Sequence, residues 1–191
     1  IFEAELTDTH SKRCVAEIIA LKKQAPLPYR LHLAVAPTKL NDRYEWFLEK
    51  ATEIGVTEIT PIICDHSERK TVKLERYQRV LLSAMKQSLH MHFPKLNDPV
   101  SFSELMQTEM PGMRLIAHCE DDEKKPYLQN KLKANSTINI LIGPEGDFSP
   151  NEIKTAMKEN WQQISLGESR LRTETAAIAA CHTVALINQN S

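Results

Sequence analysis

Glycine is scarce in this chain. Its 191 residues include only five: Gly55, Gly112, Gly143, Gly146 and Gly167. That excludes a collagen-like chain and marks each glycine as a place where backbone geometry matters. Charge of one sign is also lacking, since 24 Lys+Arg face 25 Asp+Glu for a net charge of −1. The balance says little about partners, because it averages over uneven segments. No apolar run exceeds a few residues, so no segment spans a bilayer as a helix. Cys14, Cys64, Cys119 and Cys181 lie far apart without a C-x-x-C pair. A domain of this length needs no disulfide staples, and a reduced cytoplasmic protein with buried thiols is expected. No secretory signal pattern is visible. The chain opens on Ile1 rather than Met, so a further segment ahead of it is expected.

What remains is ordinary globular material, 41% hydrophobic and 26% charged. This excludes wholly disordered and mucin-like chains. The length fits one domain, or one domain plus a remnant of another. Between residues 66 and 95 stand Arg69, Lys70, Lys73, Arg76, Arg79, Lys86 and Lys95 against only Glu68 and Glu75. A polyanion could bind there although the whole chain is not basic, while plain solvation of a charged helix face explains the same pattern. The stretch from Glu120 to Glu123 is acidic.

The first twenty residues alternate as two strands around a polar turn at Thr7–Lys12. Two strands alone are marginal in water, so partners are expected in the segment ahead. Lys22–Arg30, with two prolines, reads as a linker. From there short apolar runs recur at Leu31–Ala36, Ile59–Ile63, Leu115–His118, Ile138–Ile142 and Ile164–Leu166, with amphipathic stretches between them. That rhythm predicts an α/β fold, a mostly parallel sheet flanked by helices. One helix is expected over Asp42–Ile54, with Asp42 and Glu45 as a capping box, Gly55 as its stop, and Tyr44, Phe47, Leu48, Ala51 and Ile54 inward. A second is expected over Lys73–His90, with Leu74, Tyr77, Leu81, Ala84 and Met85 inward.

Two segments carry the chemistry. INILIGPEGDFSPNEI, residues 138–153, is a buried strand, a tight Gly143-Pro144-Glu145-Gly146 loop, and a helix opened by Ser149, Pro150 and Glu152. A loop at the carboxyl end of a strand is the usual ligand position in an open α/β sheet, and its glycines would let a flat ligand approach the backbone. Neither G-x-x-x-x-G-K-[ST] nor G-x-G-x-x-G is present. Pro144 removes a donor and Glu145 adds a negative charge, so a cationic or neutral ligand is favoured over a phosphorylated one. A mere tight turn is the plainer alternative. ISLGESRLRTETAAIAAC, residues 164–181, turns at Gly167 and leads through Arg172 and Glu174 into an Ala-rich helix. Charged groups at such a junction suit catalysis, or equally a surface ion pair.

In order and spacing these pieces resemble the SPOUT class of S-adenosylmethionine-dependent RNA methyltransferases, and within it the ribosomal RNA small-subunit methyltransferase E family. The resemblance is carried by EKATEIGVTEITPI (Glu49–Ile62), HSER (His66–Arg69), KQS (Lys86–Ser88), LIGPEGDFSPNEI and SLGESRLRTETAA, over most of residues 31–185. Departures are Leu89-His90 where the family commonly has Gly-Arg, Asp147 where Gly is frequent, and Glu168-Ser169-Arg170 where Pro-Arg is often found. The resemblance implies a C-terminal trefoil knot in residues 26–191, the remnant of a PUA-like β-barrel in residues 1–25, and a cytoplasmic homodimer. It implies S-adenosylmethionine as methyl donor and N3 of a uridine in 16S ribosomal RNA as acceptor.

Three loops would cup the donor. The first offers Leu115, Ala117 and His118; the second Ile142, Gly143, Pro144, Glu145 and Gly146; the third Ser165, Leu166, Gly167 and Leu171. Arg172 would stabilise charge developing on the base and Glu174 would accept its proton, with a water as the other acceptor weighed. RNA would lie along Arg69, Lys70, Lys73, Arg76 and Lys86. A non-catalytic RNA-binding protein that kept the knot is the competing reading. A metal enzyme using His90, His92, His118 and Cys119 lacks a recognised ligand spacing, so no metal is expected.

Overall fold

The computed structural model describes residues 2–10, 12–120 and 124–189. A hairpin of β1 (Phe2–His10) and β2 (Arg13–Leu21) comes first. Then follow β3 (Arg30–Val35), α1 (Asn41–Ile54), β4 (Glu58–Ile63), α2 (Leu74–Gln87), β5 (Lys95–Leu96), β6 (Val100–Ser101) and α3 (Phe102–Met106). The chain ends with β7 (Met113–Ala117), α4 (Leu128–Lys131), β8 (Thr137–Ile142), α5 (Pro150–Lys158), β9 (Gln162–Ile164) and α6 (Thr173–Asn188). The second sheet has the order β5-β4-β3-β8-β7-β9, with β6 also on β4. All its described pairings are parallel, as expected for strands separated by helices.

Side chains along each strand alternate between two cores. Leu31, Leu33, Val35, Leu115, Ile138, Ile140 and Ile142 face α1, α2 and α6. Ala34, Ala36, Ile62, Ile116 and Leu141 face α3 and α5. The helix after β3 and the helix after its neighbour β8 therefore leave on opposite faces. That makes the carboxyl ends of β3 and β8 a topological switch point, where open α/β sheets hold ligands. The register keeps these ends level, with Val35 and Ala117 both opposite Ile142 and Ala117 opposite Ile164.

Several local expectations need correction. The Asp42–Glu45 box does not form: the N-cap is Leu40, without a side-chain cap, and the Glu45 carboxylate is taken by Arg76 and Asn41. A cross-helix ion pair outcompetes the reach back to the helix end. Gly55 does stop α1, at φ 118, with its N–H on Ala51 O. α2 ends three residues earlier than expected, because Ser88 Oγ bonds back to Ala84 O and Leu89 turns left-handed at φ 59. Of the five α2 positions expected inward, Leu74 and Met85 are only half-buried. The hairpin strands run through most of the expected Thr7–Lys12 turn, pairing Thr9 with Cys14 and His10 with Arg13; Ser11 lies outside the described residues. Its apolar residues, Phe2, Leu6 and Ile18 among them, are exposed. Cys64 and Cys181 are buried as expected, and burial pushes the Cys181 thiol up to about 12, but Cys14 and Cys119 are exposed. The hairpin is uncovered among the described residues, and Cys119 has already left its strand. Of the acidic stretch, only Glu120 is described; its carbonyl accepts from Lys125.

Candidate active site

The loop after β8 is tied down on every side. Asp147 N–H closes a turn onto Pro144 O at 2.9 Å. Glu145 Oε1 accepts Lys39 N–H at 2.9 Å, and Thr173 Oγ1 at the start of α6 donates to Gly143 O at 2.9 Å. Arg69 donates to the carbonyls of Thr38 and Lys39, fixing the β3 exit beside it. A Cβ on Gly143 would lie 3.0 Å from the Phe148 ring, and one on Gly146 3.1 Å from His66 Cβ. These glycines therefore leave room for Phe148 folding under the loop and His66 closing over it. Asp147 holds a left-handed φ of 62°, a conformation aspartate tolerates better than most residues. Its carboxylate accepts Cys119 N–H at 2.7 Å and Phe148 N–H at 2.8 Å, pinning the β7 exit to the β8 loop.

The third loop joins from β9. Ser165 N–H donates to Pro126 O and Leu128 N–H to Ser165 O, each at 2.9 Å. Gly167 has φ 143 and open space where a Cβ would stand. Ala117, Leu166 and Leu171 are half-buried around these loops, Ile142 and Pro144 buried. Leu115, two residues inside its strand, is fully buried in the first core. His118 is buried, and its Nε2 lies 2.6 Å from Gln163 Oε1. With Nε2–H donating to that oxygen, Nδ1 is a bare acceptor, and it has no partner among the described residues. Burial lowers the His118 pKa, and Lys125 adds to the effect, so the ring is neutral.

Arg172, the N-cap of α6, is exposed. Glu174 is buried; its Oε1 lies 3.8 Å from Arg43 Nε and its Oε2 has no partner among the described residues. The ionic neighbour of Glu174 is thus Arg43, a residue the sequence reading passed over. No local pattern marks it, because only the packing of α1 against α6 brings it to Glu174. Asp42, Arg43, Trp46, Arg172, Glu174 and Thr175 line one open cleft of about 390 Å³.

At the opposite, amino-terminal edge a cavity of about 400 Å³ is lined by Arg30, His32, Glu58, Lys95 and Asn139 among others. Its polar groups satisfy one another: His32 contacts Thr60 Oγ1 at 2.7 Å and Asn139 Oδ1 at 3.2 Å, and Asn97 donates to Glu58 and Thr60. The basic segment divides. Lys70, Lys73 and Lys86 are exposed, whereas Arg69 is spent on backbone carbonyls and Arg76 on Glu45 and Asp42. His90 and His92 cap the carbonyls of Glu53 and Ala25, well apart in the chain from His118. Among the described residues, no three His, Cys, Asp or Glu gather as metal ligands.

Fold and site together define an open, parallel α/β protein whose strand-end loops cluster at one sheet edge. An RNA methyltransferase domain family matches residues 25–185. The ribosomal RNA small subunit methyltransferase E of Rickettsia conorii is 31% identical over 176 residues, covering 90% of this chain and 72% of that one. A probable rRNA-methyltransferase from Porphyromonas gingivalis superposes with a TM-score of 0.91 at 39% identity, over 98% of this chain and 80% of that one. The ribosomal RNA small subunit methyltransferase E of Neisseria gonorrhoeae, solved bound to S-adenosyl methionine, gives 0.85 at 28%, over 98% and 78%. The chain belongs to the ribosomal RNA small subunit methyltransferase E family of RNA methyltransferases.

Proposed function

We propose that this protein methylates N3 of a specific uridine in the 16S RNA of the small ribosomal subunit, using S-adenosylmethionine. The observation that carries the reading is the placement of two buried polar atoms that have no partner among the described residues. His118 Nδ1 and Glu174 Oε2 both stand at the carboxyl edge of the sheet. A buried polar atom without a partner costs about 1–3 kcal/mol and calls for one.

The residues fit such a donor. Neutral His118 offers an acceptor for a ribose hydroxyl or adenine amino group without repelling a sulfonium. The three loops present main-chain groups, and Gly167 leaves room beside them. When bound, S-adenosylmethionine supplies an electrophilic methyl on a cationic sulfur. The chain's own work is to align and to manage charge. Uracil N3–H is a weak acid, and Glu174 would accept its proton. Arg172 would stabilise the charge left on the ring oxygens.

On this reading residues 26–191 form a SPOUT domain with a C-terminal trefoil knot, supported by the Thr173–Gly143 bond that seats the start of α6 against the β8 loop. Residues 1–25 are the end of a PUA-like barrel, supported by the exposed apolar residues of the hairpin. The protein acts as a homodimer in the cytoplasm. RNA crosses the exposed Lys70, Lys73 and Lys86.

Mass mapping of 16S RNA from cells lacking the protein tests the reading: one uridine should lose its methyl, and an unchanged map refutes it. Arg172→Ala should lose on the order of 10²-fold in single-turnover rate with donor affinity nearly unchanged. Unchanged turnover removes Arg172 from the mechanism. Donor binding absent together with methylation would favour the non-catalytic alternative.

A further inference from the structure

The cleft between the first turns of α1 and α6 has a composition that the donor loops do not share. One wall is Trp46, which is 46% exposed, while the other tryptophan, Trp161, is 2% exposed in the second core. Beside it stand two guanidinium groups, Arg43 and Arg172, and two carboxylates, buried Glu174 and exposed Asp42, the latter paired outward with Arg76 at 3.7 Å. Arg43 meets Glu174 only through Nε at 3.8 Å, and its terminal nitrogens make no hydrogen bond among the described residues. Glu174 is 7% exposed, yet its Oε2 is unpartnered among the described residues. Only Thr173 separates Arg172 from Glu174, and its hydroxyl holds Gly143 O. The cleft therefore adjoins the β8 loop at the topological switch point.

We propose that this cleft seats the target base: Trp46 stacks on one unpaired uracil, Arg43 donates to a ring carbonyl, and Glu174 Oε2 faces N3–H. The inference rests on the methyltransferase reading above and assigns its specificity. Single-stranded bases are held by stacking on aromatic rings and read along their Watson–Crick edges. That edge in uracil runs acceptor, donor, acceptor. A carboxylate flanked by guanidinium groups is its complement. Cytosine presents an N3 lone pair at the central position, which a carboxylate repels, so the same groups reject it. Arg43 is thereby a specificity residue, oriented by Glu174.

A short single-stranded RNA with one uridine, and its cytidine counterpart, test this by tryptophan fluorescence. The uridine oligomer should quench wild-type emission and leave Trp46→Phe, which retains only Trp161, unchanged. Trp46→Ala should raise KM for ribosomal RNA on the order of ten-fold, with Trp46→Phe restoring most of it. Glu174→Gln should narrow the preference for uridine over cytidine, because an amide can donate to cytosine N3. Three results overturn the seat: no quenching, an unaltered KM in Trp46→Ala, or a changed oligomeric state of Trp46→Ala in sedimentation, which would assign Trp46 to a contact between copies. Fluorescence reports on the seat whether or not methyl is transferred. Failure of the wild type to methylate would instead overturn the underlying reading.

Discussion

Replacing Thr173 by Val tests how the start of α6 is joined to the β8 loop. Thr173 is 4% exposed, and its hydroxyl donates to Gly143 O at 2.9 Å. Valine keeps the branched shape and nearly the volume, so it opens no cavity and retains the helix backbone. What it removes is the donor, leaving the carbonyl of buried Gly143 facing a methyl group. An orphaned buried acceptor costs about 1–3 kcal/mol, to which the lost bond itself belongs. For a chain of this size, 2 kcal/mol lowers Tm by roughly 4–8 °C. Urea unfolding should show a lower midpoint at unchanged slope, since the exposed surface is the same. Thr173→Ser, which keeps the hydroxyl and loses a methyl, should recover most of the loss. Titration with S-adenosylmethionine should show the Val variant weakened and the Ser variant near wild type, because Gly143 belongs to the proposed donor loop. If Val and Ser variants unfold at the wild-type midpoint, the bond does not hold the loop and the energetic argument fails.

Gly55→Ala should destabilise by about 1–3 kcal/mol in the same assay, since φ is 118° and the new Cβ would lie 2.8 Å from Tyr29 Oη. A neutral result would mean that the turn relaxes. Leu89→Gly should stabilise by about 0.5–1 kcal/mol, because a leucine 72% exposed gains little where it sits at φ 59°; a loss of stability would show that its side chain matters more than its backbone. Burial lowers the His32 pKa, outweighing the pull of Glu58, while Lys95 and Arg30 reinforce it. The unfolded chain then takes up a proton first, so stability is complete above about pH 6.5 and declines as pH falls below that value. His32→Gln should flatten the decline of Tm, leaving the part due to His118, whose pKa is lowered in the same sense; an identical slope in the variant would exclude His32.

The parallel sheet was legible because its strands are fully buried runs, such as Leu31–Ala36 and Ile138–Ile142, bounded by helix periodicity. The cap of α5 was legible because Ser149, Pro150 and Glu152 are adjacent in sequence, and both bonds of the box form. The start of α1 was misread because its decisive partner, Arg76, comes from another helix. β5, β6, α3 and α4 were missed: they are two to five residues long, too short for either periodicity to register. The two departures at Leu89 and Asp147 look like simple losses of glycine in the sequence. In the fold both positions keep left-handed backbone, so the geometry outlasts the residue that usually provides it. The loops after β7, β8 and β9 could be located from local spacing. Arg43 and Trp46 could not, because only the crossing of α1 and α6 brings them to Glu174.

The two edges of the sheet are built on opposite terms. At the amino edge His32, Thr60, Asn97 and Asn139 replace what could have been apolar side chains, yet each finds a partner inside the group. That arrangement costs little once formed and asks nothing of a ligand. At the carboxyl edge the donors of the backbone are spent with equal care, Lys39 and Cys119 N–H groups each meeting a carboxylate. There, however, one imidazole nitrogen and one carboxylate oxygen are left over. Folding alone would favour an apolar residue such as Leu at either position, since it removes the unmet lone pair. A chain that satisfies its buried polar atoms at one end, and leaves two bare among the described residues at the other, holds there the unmet hydrogen-bonding capacity on which the proposed function rests.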